Sequence, residues 1–333
     1  MKKINDEELN KNIINNGEII KQNCKDLKQE IFKILFGKEI SNSFDFENNP
    51  FQLIKGINNL EDYLKLTQSE KISIDTFLRN INSPSSKYLS WNSTLLTIFS
   101  NYLKDFIDIN KYSIYITPHV RLSLPCRIKK ITQNIEGMNP VPFHRDTWYG
   151  YSEKNINFWL PLFGDENKSF VIFKKFYKRR ILTLPNFHNP IHPKPILIGT
   201  STRNTESFNS ADDSQMIIFS GAHLHKSITL PPQARPRISV DFRIIPNSFL
   251  NNCKYPEKPI SINRLLNTQK TIAYFSEISI VDKTNSDTKT ISNKSNILKK
   301  NIFLSKFRKS SLIQKILIFL KNPRYIVPFL YYK

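Results

Sequence analysis

Apolar residues recur at helical spacing through the first part of the chain. The segments Leu27 to Leu35, Leu60 to Leu66 and Trp91 to Phe106 carry apolar residues three and four positions apart, the spacing of one helix face. The run that begins at Glu18 shows the same spacing. We therefore predict a helical region over residues 1–110 that packs on the rest of the protein.

From Tyr112 the pattern changes to short segments rich in β-branched and aromatic residues, bounded by prolines and polar turns. Such segments are typical of strands. Several of them in succession predict a β-sandwich or barrel over residues 111–250, so that the fold class is mainly β with flanking helices. The irregular segment 179–213 has the length of a lid or binding loop. The predicted strands are 113–116, 119–124, a strand at His144, 156–162, 169–173, 215–219 and 237–243.

Residues 251–333 are predicted to be a linker followed by a basic tail. Asp282 to Asp287 is polar and without apolar periodicity. Ser311 to Leu320 has the composition of a short basic amphipathic helix that ends before Pro323. Such a helix is able to anchor a protein at an anionic membrane surface, and ordinary packing on the domain is an equally compatible interpretation.

The formal net charge of +21 allows several kinds of partner. Lysine and arginine neutralise nucleic-acid phosphates, anionic membranes or anionic substrates, and a solvated lysine-rich surface gives the same total. Nucleic acid ranks last among these partners. The isolated Cys24, Cys126 and Cys253 exclude a zinc ribbon and indicate a reducing compartment. With neither an apolar leader nor a stretch of membrane-spanning length, a cytoplasmic location is expected, at most peripheral to a membrane.

The segment His144-Arg145-Asp146 offers candidate chemistry. In an extended strand, residues two apart point to the same face, so His144 and Asp146 address one small volume. They are two of the three groups of a 2-His-1-carboxylate site, which holds non-haem Fe(II) with open positions. Further along the chain, His223 and His225 both offer the missing histidine, and spacing alone does not choose between them.

Arg235 and Arg237 follow about ten residues later. A guanidinium clamps a carboxylate through two parallel hydrogen bonds. A metal site with open positions and a nearby arginine suits a keto acid that binds the metal at one end and the arginine at the other. The alternative is a surface strand whose arginines are solvated.

Four segments in order resemble one family: 144–150, 156–162, 219–227 and 235–243. They are similar to 2-oxoglutarate/Fe(II)-dependent oxygenases of the phytanoyl-CoA dioxygenase-like superfamily. More narrowly they resemble its streptomycin-biosynthesis-type branch, whose bacterial members are often associated with carbohydrate and polysaccharide biosynthesis. The resemblance covers Tyr112 to Ile245 and implies a double-stranded β-helix (jelly-roll or cupin-like) core.

The resemblance also implies roles for single residues. His144, Asp146 and His225 match the family's iron ligands, with His225 favoured over His223. Arg235 matches the 2-oxoglutarate-binding arginine, and Arg237 is the second choice.

Trp148, Tyr149 and Asn157 lie where contacts to the cosubstrate or substrate are expected in this family. Packing within the strands is an equally good interpretation of each of them.

The implied cofactors are Fe(II), the cosubstrate 2-oxoglutarate and O2, and the implied reaction is hydroxylation of a saccharide or sugar-containing precursor. The basic run Lys174 to Arg180 departs from the family pattern and indicates either an anionic substrate, such as a nucleotide-linked sugar, or a solvated charge run. Two other hypotheses are a non-redox sugar-binding or isomerase-like protein on the same core, and a nucleic-acid-directed oxygenase or binder.

Overall fold

A computed structural model describes most of the chain up to residue 267. The predicted linker and basic tail, and most of the irregular segment 179–213, lie outside the described residues. Among the described residues no helix is both long and apolar enough to cross a membrane. The described residues are 6–36, 50–82, 89–125, 141, 143–149, 151–164, 168–174, 177–178, 183–184, 196–197, 205–209, 215–252 and 259–267.

The predicted helices between Leu27 and Phe106 are confirmed, with shifted ends. Their buried apolar residues belong to one cluster with strand residues. The helices are α1 (Asp6–Leu9), which continues as a π-helical turn (Asn10–Asn15), α2 (Lys25–Phe36), α3 (Pro50–Gly56), α4 (Leu60–Lys65), α5 (Gln68–Ile81), α6 (Leu89–Leu103) and α7 (Ile262–Asn267).

The strands are β1 (Ile20–Asn23), β2 (Tyr112–Ile114), β3 (His119–Ser123), β4 (Ile156–Phe163), β5 (Lys168–Phe173), β6 (Thr183–Leu184), β7 (Ile196–Leu197), β8 (Thr205–Asn209), β9 (Gln215–Ser220), β10 (Leu224–Ser227), β11 (Arg237–Pro246) and β12 (Ile260–Ser261). Within the described residues, seven strands form the larger sheet in the order β1-β9-β4-β11-β2-β12, with β3 also paired to β11. A smaller sheet has the order β10-β5-β8. All of the pairings are antiparallel.

The mainly β prediction with flanking helices is therefore confirmed, while the jelly-roll assignment stays a prediction. The prediction that helix continues from Glu18 is wrong. Residues Ile20–Asn23 form strand β1, which pairs with β9 at one edge of the larger sheet, and the helix begins only at Lys25. Burial alternates along these residues, and the main-chain bonds available at the sheet edge outweigh a weak helical preference.

One face of the larger sheet is covered by the helices. Leu95, Leu96, Phe99 and Leu103 on α6 are buried at helical spacing and belong to one apolar cluster with the sheet. The ring of Phe99 stacks on Phe242 of β11, with centroids 4.1 Å apart and an interplanar angle of 7°. Even-numbered residues of β11 therefore face the helices.

The other face of the larger sheet looks toward the smaller sheet. Trp159 of β4 and Phe219 of β9 share a second apolar cluster with Phe170 and Ile172 of β5. Because side chains alternate along a strand, the odd-numbered residues of β11 also lie on this face. The candidate site lies between the two sheets.

Candidate metal centre

His144 and His225 are joined through their main chains. The N–H of His144 donates to the carbonyl oxygen of His225 at 3.0 Å, and the N–H of His225 donates back at 2.9 Å. This isolated antiparallel bridge ties His144 to strand β10 and brings the two imidazole rings to a centroid distance of 4.1 Å. Residues far apart in sequence therefore present two imidazoles to one point.

Asp146 reaches the same point by a turn. The extended strand predicted for the His144 segment is not formed, since Asp146–Tyr149 is a short 3-10 helix. The N–H of Asp146 donates to the carbonyl oxygen of Gly221 at 3.0 Å, which anchors the turn beside the end of β9. The side chains of His144 and Asp146 still point into one small volume, because the main-chain bridge orients His144 and the turn orients Asp146.

The three side chains form a buried group whose ligand atoms all lie within 4.8 Å of one another. Asp146 Oδ1 is 3.7 Å from His144 Nε2 and 3.6 Å from His225 Nε2. These separations exceed a hydrogen bond, so the donor atoms face a common centre without bonding each other. Two imidazoles and one carboxylate are ligand types that non-haem iron accepts, and the residues present fit a single divalent ion.

The protonation of His225 suits metal binding. Its Nδ1 lies 3.0 Å from the carbonyl oxygen of His223, which only accepts, so Nδ1 carries the proton and Nε2 presents its lone pair. Burial lowers the pKa of His225 below its ordinary value, although the nearby Asp146 opposes this. The ring is therefore neutral at pH 7, as a ligand must be.

Asp146 is held as a carboxylate. Burial by itself would raise the pKa of Asp146, but Arg243 and the two histidines outweigh burial and hold the pKa well below its usual range. Burial likewise works against the charge on Arg243, and Asp146 outweighs it, so the pKa of Arg243 is raised. The site therefore offers an ionised oxygen ligand at any pH near neutrality.

The cavity lies between the two sheets and is partly open to solvent. Polar side chains of β10 and β11 and aromatic side chains of β4, β5 and β9 enclose it. It is lined by Arg121, Val141, His144, Asn157, Trp159, Phe170, Phe219, His225, Ser227, Arg237, Asp241 and Arg243.

Arg237 is a buried cation in this cavity with a relative exposure of only 1%. Its guanidinium donates to the hydroxyls of Ser123 (2.7 Å) and Ser227 (2.9 Å) and to the carbonyl oxygen of Ser169 (2.7 Å). Among the described residues no carboxylate forms an ion pair with it, and its Nε has no hydrogen-bond partner. Burial lowers the pKa of Arg237 to about 10, so the group is still charged at pH 7.

The cavity is positively charged. Arg121 pairs with Asp241 at 2.9 Å, and Arg243 pairs with Asp146 at 3.0 Å, which leaves Arg237 without an acidic partner among the described residues. A buried charge without a partner is costly, so an anion that entered the cavity would be stabilised at Arg237. A ligand carboxylate is the group that fits a guanidinium best.

The structure does not bring every predicted residue into the site. Arg235, the first choice for the keto-acid arginine, is exposed, with its guanidinium 5.5 Å from the ring centroid of Phe163. Arg237, the second choice, is the one that lines the cavity. His223 points away from the metal centre, since its ring nitrogens contact the carbonyl oxygens of Ser220 (3.1 Å) and Gly17 (2.9 Å).

The three predicted contact residues have different positions. Asn157 lines the cavity, and its amide donates to Asp146 Oδ2 at 2.6 Å, so it contacts a candidate metal ligand. Trp148 is half-buried against an apolar cluster of β5 and β10 and is not among the cavity-lining residues. Tyr149 lies in the 3-10 helix, and its side chain is outside the described part of the structure.

Sequence reasoning missed Arg121, Asp241 and Arg243. A usable signal was present in β11, where Arg237, Ser239, Asp241 and Arg243 alternate with apolar residues. Polar residues at every second position of an otherwise apolar strand predict one polar face. The burial of that face between two sheets is what turns it into a site.

The chain matches no family model, and no curated protein matches it. ThoJ, described as a non-heme monooxygenase and solved in its apo form, is 8% identical, with a TM-score of 0.41, over 72% of this chain and 77% of its own. SnoN, the non-heme alpha ketoglutarate dependent epimerase from nogalamycin biosynthesis, is 11% identical, with a TM-score of 0.31, over 72% and 82%. EvdO2 from Micromonospora carbonacea var. aurantiaca is 12% identical, with a TM-score of 0.32, over 44% of this chain, which spans only 56% of EvdO2.

A second SnoN structure contains Fe3+, alpha ketoglutarate and nogalamycin RO. Identities this low and TM-scores below 0.5 assign no activity to this chain, so its function has to be inferred from the site itself.

Proposed function

We propose that this protein is a 2-oxoglutarate- and Fe(II)-dependent oxygenase. The observation that carries the proposal is the presence, in one cavity, of a buried His-Asp-His group and a buried arginine that no acidic residue neutralises among the described residues. His144, Asp146 and His225 would hold the iron, and Arg237 would bind the far carboxylate of the keto acid. Iron bound there supplies O2 activation, in which oxidative decarboxylation of 2-oxoglutarate drives hydroxylation of a substrate C–H bond.

The protein's own groups supply position and charge. Arg237, with its two serine partners, gives a dianionic keto acid a fixed cationic end. Trp159, Phe170 and Phe219 line the cavity with apolar surface. Low-dielectric surroundings strengthen each electrostatic contact within them.

The proposal is tested by incubating purified protein with Fe(II), O2 and carboxyl-labelled 2-oxoglutarate. We expect release of labelled CO2 and formation of succinate, reduced at least ~100-fold in Asp146→Ala and His225→Ala because each removes a ligand. Equal turnover in these variants would rule out the assignment. Failure of the wild-type protein to bind either metal or 2-oxoglutarate would favour the non-redox sugar-binding or isomerase-like hypothesis.

For the substrate, we propose a saccharide or sugar-containing precursor, supported by the sequence resemblance. Of the basic run Lys174 to Arg180, the structure describes two lysines: Lys174 pairs with Glu206, and Lys178 donates to the carbonyl oxygen of Ile14, so neither of these two supports an anionic substrate. Screening free sugars against nucleotide-linked sugars, with product mass increased by one oxygen atom as the readout, tests both classes. Turnover restricted to non-carbohydrate compounds would contradict the proposal.

For the tail, we propose contact with an anionic membrane surface, supported by its basic and apolar composition. The full chain should co-sediment with vesicles that contain anionic lipid, and deletion of residues 311–333 should remove most of that binding. Unchanged sedimentation after deletion would contradict it.

A further inference from the structure

The two oxygens of the Asp146 carboxylate have different surroundings. Oδ2 accepts two hydrogen bonds, from Asn157 Nδ2 at 2.6 Å and from Arg243 Nε at 3.0 Å. Oδ1 faces the Nε2 atoms of His144 and His225. One oxygen is therefore bonded to the protein, and the other is directed to the candidate metal centre.

The two donors are held by the sheet. Arg243 on β11 and Asn157 on β4 are direct partners in the antiparallel register, so their side chains emerge side by side on one face. Both are buried, with relative exposures of 6% and 3%. Their common acceptor is thus fixed by two adjacent central strands rather than by a loop.

Arg243 has further contacts that restrict its side chain. Its guanidinium lies 4.8 Å from the ring centroid of Tyr151, in cation–π geometry. The hydroxyl of Tyr151 lies 3.2 Å from His119 Nε2. The main-chain oxygen of Arg243 accepts the N–H of Tyr115 at 3.0 Å. The guanidinium is therefore fixed before any metal binds.

We propose that Arg243 and Asn157 are positioning residues that make Asp146 a one-oxygen metal ligand. By occupying Oδ2 they prevent the carboxylate from binding the ion through both oxygens, which leaves one more coordination position open for cosubstrate or O2. Groups that hydrogen-bond to a metal ligand commonly control its orientation. This inference rests on the metal site of the proposed function.

Co(II) titration of the full-length protein, followed by visible absorption, tests the inference without turnover. The intensity of the Co(II) bands depends on coordination number and geometry. We expect Arg243→Gln to bind Co(II) about 10–100-fold more weakly and with a changed band intensity. Asn157→Ala, which leaves the Arg243–Asp146 ion pair in place, should change both readouts in the same direction but less. Arg243→Lys keeps the charge but not the Nε geometry, so the changed spectrum should persist.

Arg235→Gln is the control. It removes an exposed arginine, whose guanidinium lies 5.5 Å from the ring centroid of Phe163 and outside the cavity. Its Co(II) spectrum should match that of the wild type. Thermal unfolding of every variant identifies those that fail to fold. If Arg243→Gln fails to fold, the Co(II) affinity and spectrum of Asn157→Ala alone decide whether the inference holds.

The outcomes separate the two proposals. If the wild type binds no Co(II), the proposed function fails together with this inference. If the wild type binds and folded Arg243→Gln and Asn157→Ala keep its spectrum and affinity, only the inference fails. Tighter binding in Arg243→Gln with an unchanged spectrum also overturns it, because that result would show a purely electrostatic effect of one cation on another.

Discussion

The main chains of His144 and His225 exchange two hydrogen bonds, of 3.0 and 2.9 Å, and so make the two histidines one structural unit. The Nε2 atoms of both imidazoles then face Asp146 Oδ1, at 3.7 and 3.6 Å from it. A metal site built on main-chain pairing is preorganised, because its geometry does not depend on flexible loops.

This pairing makes a sharp prediction about the distal ligand. His225→Ala should lose at least ~100-fold in Co(II) affinity, because a ligand is removed. His223→Gln should keep most of the affinity, since the His223 ring contacts Ser220 and Gly17 rather than the centre. Isothermal titration with Co(II) measures both. If His223→Gln lost Co(II) binding while His225→Ala kept it, His223 rather than His225 would be the distal ligand.

The two candidate arginines are distinguished in the same way. Arg237→Met should weaken 2-oxoglutarate binding by about 2–5 kcal/mol, or at least ~30-fold, because a buried charge-assisted contact is lost. The affinity of Arg237→Lys for 2-oxoglutarate should lie between those of the wild type and Arg237→Met, since a lysine keeps the charge without the bidentate geometry. Anaerobic titration of the Fe(II)-loaded protein with 2-oxoglutarate measures the dissociation constant.

Arg235→Met is the matched control, because Arg235 is exposed beside Phe163. Its dissociation constant for 2-oxoglutarate should stay within ~3-fold of the wild type. A larger loss in Arg235→Met than in Arg237→Met would restore Arg235 as the binding residue.

The partly buried His119 and the buried His223 predict a loss of stability in mild acid. Burial is the main cause that lowers the pKa of His119 well below its ordinary value and that of His223 to about 4. Unfolding frees these rings to take up protons near pH 6.5, so the unfolded state binds more protons and stability falls as pH drops below that value. Each ring should cost about 1.4 kcal/mol per pH unit between pH 6 and 5.

Urea unfolding from pH 7.5 to 5 measures this slope. His119→Gln keeps a polar partner for Tyr151. It should reduce the change in the free energy of unfolding with pH by roughly the contribution of one histidine. Asp146 does not contribute in this range, because its pKa in the folded protein lies below the ordinary carboxyl value. Identical slopes for the wild type and His119→Gln would show that His119 is protonated equally in both states.

The helical layer supports the sheet that carries the site. Phe99→Ala should lower the free energy of unfolding by about 3–5 kcal/mol, because it opens a cavity between stacked Phe242 and edge-on Phe158. Ile72→Ala on α5, with 55% exposure, should change it by only about 0.5 kcal/mol. Urea unfolding compares them, and similar values for both would place Phe99 outside the core.

Much of the fold follows from local pattern. Strands β4, β5, β9 and β11 were predictable because runs of branched and aromatic residues between turns favour extended structure. Strand β1 was not, since its short segment becomes a strand only through pairing with β9. Helix α5 was also missed, although its buried residues recur at helical spacing.

The sequence by itself determined the residue types of the site: two histidines and a carboxylate for a metal, followed by arginines for an anion. Only the tertiary structure decided which members meet. Arg237 lies within β11 and shares its inward face with Arg243, whereas Arg235 precedes the strand and stays outside. Likewise, His225 rather than His223 joins His144, because His225 lies within β10 and pairs with His144, whereas His223 precedes the strand in a turn. Spacing lists the candidates, but a side chain's direction depends on where its strand begins and on which strand pairs with it.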